Sequence, residues 1–446
     1  MSSEPQPNTP PIDEAVLRSR TKRKIGCLPI AVVSVVTMTV IAITAVFFWN
    51  MVASRRLKRS LEVLAAAGYP TSAAELEATY KPGDNNPGPL WVAAGQSLLQ
   101  NVDQTMPWIG TEGETPPPPG EAWEKLPEAR DYLDQRSDEL QMLYEAAGYA
   151  GPARYDHSVS PSPLVQTHRQ AVRVLSIAAY VHAHDGDNAA VARDIRTGLK
   201  VAHSLSDEPT LMAQLVGIAC SDMMCRRLDE LSALPFTNAQ LSELQSTLRE
   251  PDLRRAVRRS LNGELTSVLD AFNDARMAGG VRRHEDAAFF VETVTPLILS
   301  TEEGDWHSIL DAAEQAENEA NAVRLTPLRQ MRYGLSAGAL SALPRAVEAH
   351  ARRAATYAVM EVVLASKRFQ LVTGQLPESL EALTPQFLDE VPRDILSRDG
   401  QPLRFGRTAE GIRIYSVGVN RVDDGGSVEV GPKQVPLDIV FELVQP

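Results

Sequence analysis

Gly334-Leu335-Ser336-Ala337-Gly338 has the Gly-x-Ser-x-Gly spacing of a nucleophile elbow. An elbow works because a sharp strand-to-helix turn exposes a strained serine. Here both flanks read as helix, with no strand before the serine. The only histidine after it is His350, and the nearest intervening acid is Glu348. Side chains two apart on one helix do not face each other, so no triad is completed. Small residues at 334, 336 and 338 suit close helix packing, and Ser336 is expected to be structural. His182-Ala-His184-Asp185-Gly-Asp187 contains metal-ligand residue types. Histidines at i and i+2 point apart on a helix, unlike the i, i+4 pair that grips zinc. His168 and His182 share a face but are separated by about 21 Å along it. Polar groups at a helix interface are the expectation. Cys220 and Cys225 stand about 140° apart around a helix axis and read as core thiols, not a disulfide. Asp311, Glu314, Glu317 and Glu319 read as solvated helix faces.

The elements that carry these residues begin with an apolar run. No charge occurs from Ile25 to Ser54, and Leu28 to Trp49 is 22 residues long. As a helix that is about 33 Å, enough for the bilayer hydrocarbon. Phe47, Phe48 and Trp49 form an aromatic interface belt at its end. A signal peptide would have a shorter apolar core and a small-residue cleavage site, so an uncleaved anchor is expected. Five basic residues precede the run and four follow it, a slight bias that reads as a cytoplasmic N-terminus. Residues 61–446 hold 35 basic and 54 acidic residues, a balance of −19. Such a body repels phosphate backbones and argues against a nucleic-acid partner.

After the anchor the pattern is helical almost to residue 365. Ser72 to Glu75 has capping-box spacing. Prolines crowd Lys81–Pro89 and Thr115–Gly120, which read as connectors. Leu164, Ala171, Leu175 and Ala178 recur on one face, and Val191, Ile195, Leu199 and Ala202 on the next. Between them Asp185-Gly-Asp-Asn188 combines a glycine stop with an Asp/Asn cap, predicting a helical hairpin. Leu211 to Cys220 is uncharged and short, a buried central helix. Pro235, Pro251 and Pro327 punctuate later helices. A helix over Val347–Val372 leads into three predicted strands, Pro402–Phe405, Ile412–Val417 and Leu437–Leu443. In the last, Leu437, Ile439, Phe441 and Leu443 alternate with Asp438 and Glu442, predicting one buried face and one polar face.

The final segment resembles the globular part of the major pseudopilin of type II secretion systems. The residues that carry the resemblance are Gln375-Leu-Pro377, Leu380-Glu-Ala-Leu383, Phe387-Leu-Asp-Glu-Val-Pro392 with Asp394, Gly400-Gln-Pro-Leu-Arg-Phe405, Tyr415-Ser-Val-Gly418 and Leu437-Asp-Ile439. The whole layout is similar to a family of uncharacterised bacterial single-pass membrane proteins. The pseudopilin resemblance implies a small α+β fold and calcium in the loop before the last strand. That loop offers Asn420, Asp423, Asp424 and Asp438, with Asn420 standing where the family has an aspartate. Calcium takes six to eight hard oxygens, so clustered carboxylates in a turn-rich loop meet the requirement in part. The plain alternative is that Asp-Asp-Gly-Gly is a solvated turn.

The expected fold is mainly α: one transmembrane helix, an irregular all-α body and a C-terminal α+β module with a three-stranded antiparallel sheet. The expected divisions are a disordered basic tail at 1–24, the anchor at 25–54, juxtamembrane helices and connector at 55–120, the body at 121–345 and the module at 346–446. The expected role is non-enzymatic, scaffolding or protein binding in the bacterial envelope. The expected partners are the lipid bilayer and other envelope proteins, and the expected location is the inner membrane with the bulk outside the cytoplasm. Apart from calcium no cofactor is expected. The alternative function is an envelope hydrolase with an unrecognised active site.

Overall fold

A computed structural model describes residues 27–80, 85–100, 116–155, 164–274, 283–303, 305–431 and 436–444. The tail expected at 1–24 lies outside these residues, as does much of the proline-rich connector. The chain divides into two compact units, Met1–Ala53 and Ser54–Pro446.

The first unit is described through the opening part of helix α1 (Cys27–Ala66). The large apolar side chains from Val32 to Trp49 stand exposed along it. Ala31–Ala66 contains a stretch of mean hydropathy 2.5, and α1 is long and apolar enough to span a membrane. Thr37, Thr39 and Thr44 return their hydroxyls to carbonyls one turn back, each at 2.8 Å. That satisfies their polarity inside the helix, the condition for polar groups in hydrocarbon.

The second unit begins with the end of α1 and the short α2 (Ala73–Ala78), capped by Ser72. Three helices, α3 (Gly88–Gln100), α4 (Leu126–Asp134) and α5 (Ser137–Ala147), pack beside a long hairpin of α6 (Leu164–His184) and α7 (Asn188–Ser204). The hairpin turns as its residues dictate. Gly186 adopts φ +76°, a region that L side chains avoid, and Asp187 accepts from the Ala190 N–H at 2.9 Å. The two apolar stripes read from the sequence meet here, with Leu175, Ala178, Val191, Ile195, Leu199 and Ala202 all buried. Helix α8 (Leu211–Glu230) packs across both, with Cys220 and Cys225 buried and unbridged.

The chain continues through α9 (Asn238–Arg249), α10 (Leu253–Asn273), α11 (Arg283–Glu303), α12 (Trp306–Arg324) and α13 (Pro327–Leu340). The 31-residue α14 (Leu343–Thr373) then joins two cores. Its first half contributes Val347, Ala351 and Ala355 to a core shared with α10, α11 and α12. Its second half contributes Val359, Val363 and Leu364 to a core shared with the α6–α7 hairpin. That second core also holds Leu380, Leu383, Ile412, Ile414 and Leu443. The C-terminal segment and the helical body are therefore packed as one unit through α14.

Strands β1 (Arg404–Arg407), β2 (Gly411–Val417) and β3 (Asp438–Val444) form an antiparallel sheet in the order β1-β2-β3. Ile412 opposes Leu443 and Ile414 opposes Phe441, the apolar face against α14. Arg413 opposes Glu442 and pairs with it at 2.6 Å on the other face. The expected alternation fails at Asp438, which is only 1% exposed. The reason is the loop before it, which folds over the strand. Gly426 and Ser427 donate backbone N–H bonds to Asp438 Oδ2 at 2.8 and 3.0 Å. Gly426 makes this possible with φ +77°, and a Cβ there would meet the Arg413 side chain at 3.0 Å.

Candidate functional site

A cleft of about 640 Å³ opens among the ends of several helices of the second unit. Pro87 leads into α3, which contributes Trp91. The segment after α5 contributes Tyr149, Gly151 and Pro152. Lys200, His203 and Ser204 come from the last turn of α7, Ser206 and Asp207 from the turn after it, and Glu250, Pro251, Asp252 and Arg255 from the α9–α10 junction. The volume falls within the range of small-molecule and peptide pockets. Its wall is built of helix ends because Pro209 and Pro251 stop regular structure there, leaving polar side chains to close the gaps.

The charges are largely cross-linked. Asp207 pairs with Arg154 at 2.9 Å and with Arg255 at 3.3 Å. Glu250 lies 3.7 Å from Lys200 and 3.9 Å from His203. Burial alone would raise the Glu250 pKa, but His203, Lys200 and Arg196 outweigh it and hold the carboxyl below its ordinary value. His203 is driven down to about 4 by burial, assisted by the nearby Arg353 charge, and is neutral at physiological pH. Its Nδ1 is buried without a hydrogen bond among the described residues.

Behind the cleft wall a buried polar network runs into α14. His203 Nε2 lies 2.9 Å from the Tyr357 hydroxyl, which donates to Ser221 Oγ at 2.9 Å. Arg353, 1% exposed, donates to the same Tyr357 oxygen through Nε and Nη2 at 3.3 Å each and to Ser206 Oγ at 3.2 Å. Each hydrogen bond it makes among the described residues goes to a hydroxyl. Asp222 is taken by the neighbouring Arg352 at 2.9 Å. A buried cation with neutral partners is costly, because dipoles replace only part of its lost hydration. On the far side of Asp207, Glu208 is fully buried and accepts from the Tyr80 hydroxyl. Burial raises its pKa to about 8.

The residues singled out in the sequence fall elsewhere. Ser336 is fully buried within α13, which bends at Tyr333. Its Oγ donates to the Asp286 carbonyl at 2.6 Å and its N–H to Asp286 Oδ1 at 3.1 Å. His350 is buried on α14, and burial lowers its pKa to about 3. His182 lies across the hairpin from Asp194, with Nδ1 2.6 Å from Oδ2, and Tyr144 donates to the other carboxylate oxygen at 2.7 Å. The bond to Asp194 raises the His182 pKa. His184 reaches the Pro117 carbonyl at 3.1 Å, and His168 Nδ1 lies 2.9 Å from the Leu164 carbonyl.

In the C-terminal loop, Asp423 Oδ2 accepts from Arg404 at 2.9 Å, while its Oδ1 accepts from the Tyr415 hydroxyl at 3.1 Å and the Gly425 N–H at 3.0 Å. Asn420 donates to Asp424 at 2.7 Å. Asp438 Oδ1 is buried without a hydrogen bond among the described residues. No three His, Cys, Asp or Glu side chains converge as metal ligands among the described residues. Asp394, in the pseudopilin-like stretch, is buried and fastens β2 by accepting from Ser416 Oγ at 2.6 Å and the Val417 N–H at 2.9 Å.

The cleft residues escaped the sequence reading. Their signal was present as two polar segments beside a proline, His203-Ser-Leu-Ser-Asp-Glu-Pro209 and Glu250-Pro-Asp252. Nothing in either segment announces that they face each other. No family model, curated protein or solved structure matches the chain.

Proposed function

We propose that this is a single-pass, membrane-anchored envelope protein whose helical body binds a segment of another envelope protein in the α7–α9–α10 cleft. The observation that carries the binding reading is the cleft itself, lined by Tyr149, by prolines and by charges of both signs over the buried Trp91. A flexible polypeptide offers matching apolar and polar groups to such a surface. The −19 balance of residues 61–446 disfavours a nucleic-acid occupant. The anchor reading draws on α1, and the extracytoplasmic placement draws on the slight excess of basic residues before it. The reading of the last segment as a pseudopilin-like module draws on the quoted residues and on a three-stranded antiparallel sheet backed by one long helix. Ser336, the serine of the Gly-x-Ser-x-Gly spacing, has no solvent access.

A photo-crosslinking residue placed at Ala150, exposed on the cleft rim, tests the proposal in cells. It should give discrete adducts that the same residue at exposed Met212 does not, and Trp91→Ala should weaken them. Equal adducts at both positions would remove the cleft from the reading. A reporter fused after residue 446 should be active only outside the cytoplasm; cytoplasmic activity would reverse the orientation.

A further inference from the structure

One exposed surface lies away from the cleft. At the corner where α12 passes into α13, Leu325, Leu328, Met331 and Leu335 are 84%, 78%, 74% and 47% exposed. Leu328 and Met331 stand at i and i+3 on one face of α13, and Leu335 follows the bend at Tyr333. A soluble surface rarely carries so dense a group of large apolar side chains. The local sequence is basic, although Arg329 pairs with Glu319 at 3.2 Å. From Ala320 to Val347 there are four arginines, Arg324, Arg329, Arg332 and Arg345, and no acidic residue, in a chain that is otherwise acidic.

The fold of the second unit holds this face outward and ties it through α11 to Arg56, near the unit's start. Asp286 at the start of α11 accepts the Leu335 and Ser336 N–H groups, at 3.3 and 3.1 Å. Tyr333 stacks on Phe289 with ring centroids 4.5 Å apart. Arg332 pairs with Glu285. Two turns further along the same α11 face, Glu292 takes Arg56 through a two-pronged contact at 2.5 and 3.1 Å. Arg56 follows Trp49, the last residue of the apolar run, by seven positions. Connectivity alone therefore keeps Arg56 close to the surface of any bilayer that the run spans.

We propose that the α12–α13 corner is a second membrane contact, with Leu325, Leu328, Met331 and Leu335 immersed in the interfacial layer of the bilayer that α1 spans. The occupant is lipid, for two reasons. A basic segment with an apolar face is the pattern of interfacial helices, and its exposed Arg324 and Arg345 suit anionic headgroups. The clamp through α11 ties it to Arg56, which connectivity keeps near the membrane surface. The contact would hold the body against the membrane and limit how the cleft can turn. It rests on the reading of α1 as an anchor, and the test separates the two.

The full chain, carrying Cys27→Ser, is reconstituted into vesicles containing anionic lipid. Cys220 and Cys225 are buried and stay unlabelled under native conditions. A fluorophore is attached at Met331→Cys, at Leu328→Cys as a second reading of the same face, at Met212→Cys as an exposed control and at Val40→Cys in the apolar run. Lipids spin-labelled near the headgroup should quench the 331 and 328 probes about two-fold or more beyond the 212 probe. Quenching at 331 and 328 no greater than at 212, with the Val40 probe buried in lipid, would overturn the contact and leave the anchor. A 331 probe shielded both from lipid quencher and from aqueous iodide would overturn it in favour of a protein occupant. A Val40 probe accessible to iodide would remove the anchor and the contact together.

Discussion

The helical wall around α7, α8 and α14 and the loop before β3 both bury ionisable groups, but they satisfy them differently. In the loop the partners are local. Asp438 accepts from residues 11 and 12 positions away, and Asp423 from Gly425 and Tyr415, two and eight positions away. In the helical wall they are remote. His203 meets Tyr357 at a separation of 154 residues, Arg353 meets Ser206 at 147 and Tyr80 meets Glu208 at 128. Local partners are brought together by a turn, whereas remote ones require the whole helical packing. Loss of one remote partner should therefore leave another group stranded in the interior, and loss of a local one should be absorbed more readily.

The largest effect is expected at Asp194. It is fully buried and ties α5 to α7 by accepting from Tyr144, 50 residues away, while His182 across the hairpin bonds its other oxygen, so Asp194→Ala removes a partner from each. Removing one member of a buried ionic pair costs about 3–5 kcal/mol. Chemical denaturation of the variant should show a loss of that order. A loss below that of the loop variant described next would erase the contrast between the two regions.

Asp438→Ala removes the acceptor of two N–H groups. A buried donor left unsatisfied costs about 1–3 kcal/mol, and the surrounding loop can open to water. A loss of about 2 kcal/mol is expected, and Asp438→Asn, which keeps one carbonyl oxygen, should recover most of it. Thermal melting of both variants reads the difference.

Glu208 sharpens the comparison through pH. Its folded pKa of about 8 stands above the ordinary 4.5, so the folded state holds a proton that the unfolded chain has released. Its contribution is fully present below pH 4.5 and is lost as pH rises toward 8. His168 and His203, lowered to about 4, and His350, lowered to about 3, act oppositely but only below about pH 6.5. Between pH 6.5 and 8 stability should therefore fall in the wild type by up to about 1.4 kcal/mol per unit. His182, raised above 6.5 by Asp194, adds a fall of the same sign, so Glu208→Gln should reduce the slope to the His182 part, as measured by denaturation across the window. An unchanged slope would mean that Glu208 is ionised in the fold.

The smallest effect is expected from calcium. Arg404 already neutralises Asp423, so an ion must compete with a guanidinium for one of its ligands. Millimolar calcium should raise the melting temperature slightly in the wild type and more in Arg404→Gln, with magnesium doing less because it dehydrates reluctantly. Melting curves unmoved by calcium in both would leave the loop a closed turn.

Much of the architecture was legible because its signals are local. The hairpin turn is written in Asp185-Gly-Asp-Asn188, since a positive-φ glycine and an N-cap act within four residues. The membrane-length helix is written in an uncharged run, since hydrocarbon thickness is met by length and composition alone. The strand spans and the apolar face of β3 follow from side-chain alternation. Asp438 broke that alternation because a loop returning over the strand supplied N–H donors, and no residue of the strand encodes that return. The same limit governs the cleft and the network behind it. The types and order of His203, Glu250, Arg255, Arg353 and Tyr357 are set by the sequence, but their meeting depends on how α7, α9, α10 and α14 cross. Crossing is decided by the packing of large apolar faces, which fixes distances between helix ends far apart in the chain. Helix positions were therefore determined by the sequence read locally, while the partners of each buried charge were decided only by the tertiary structure.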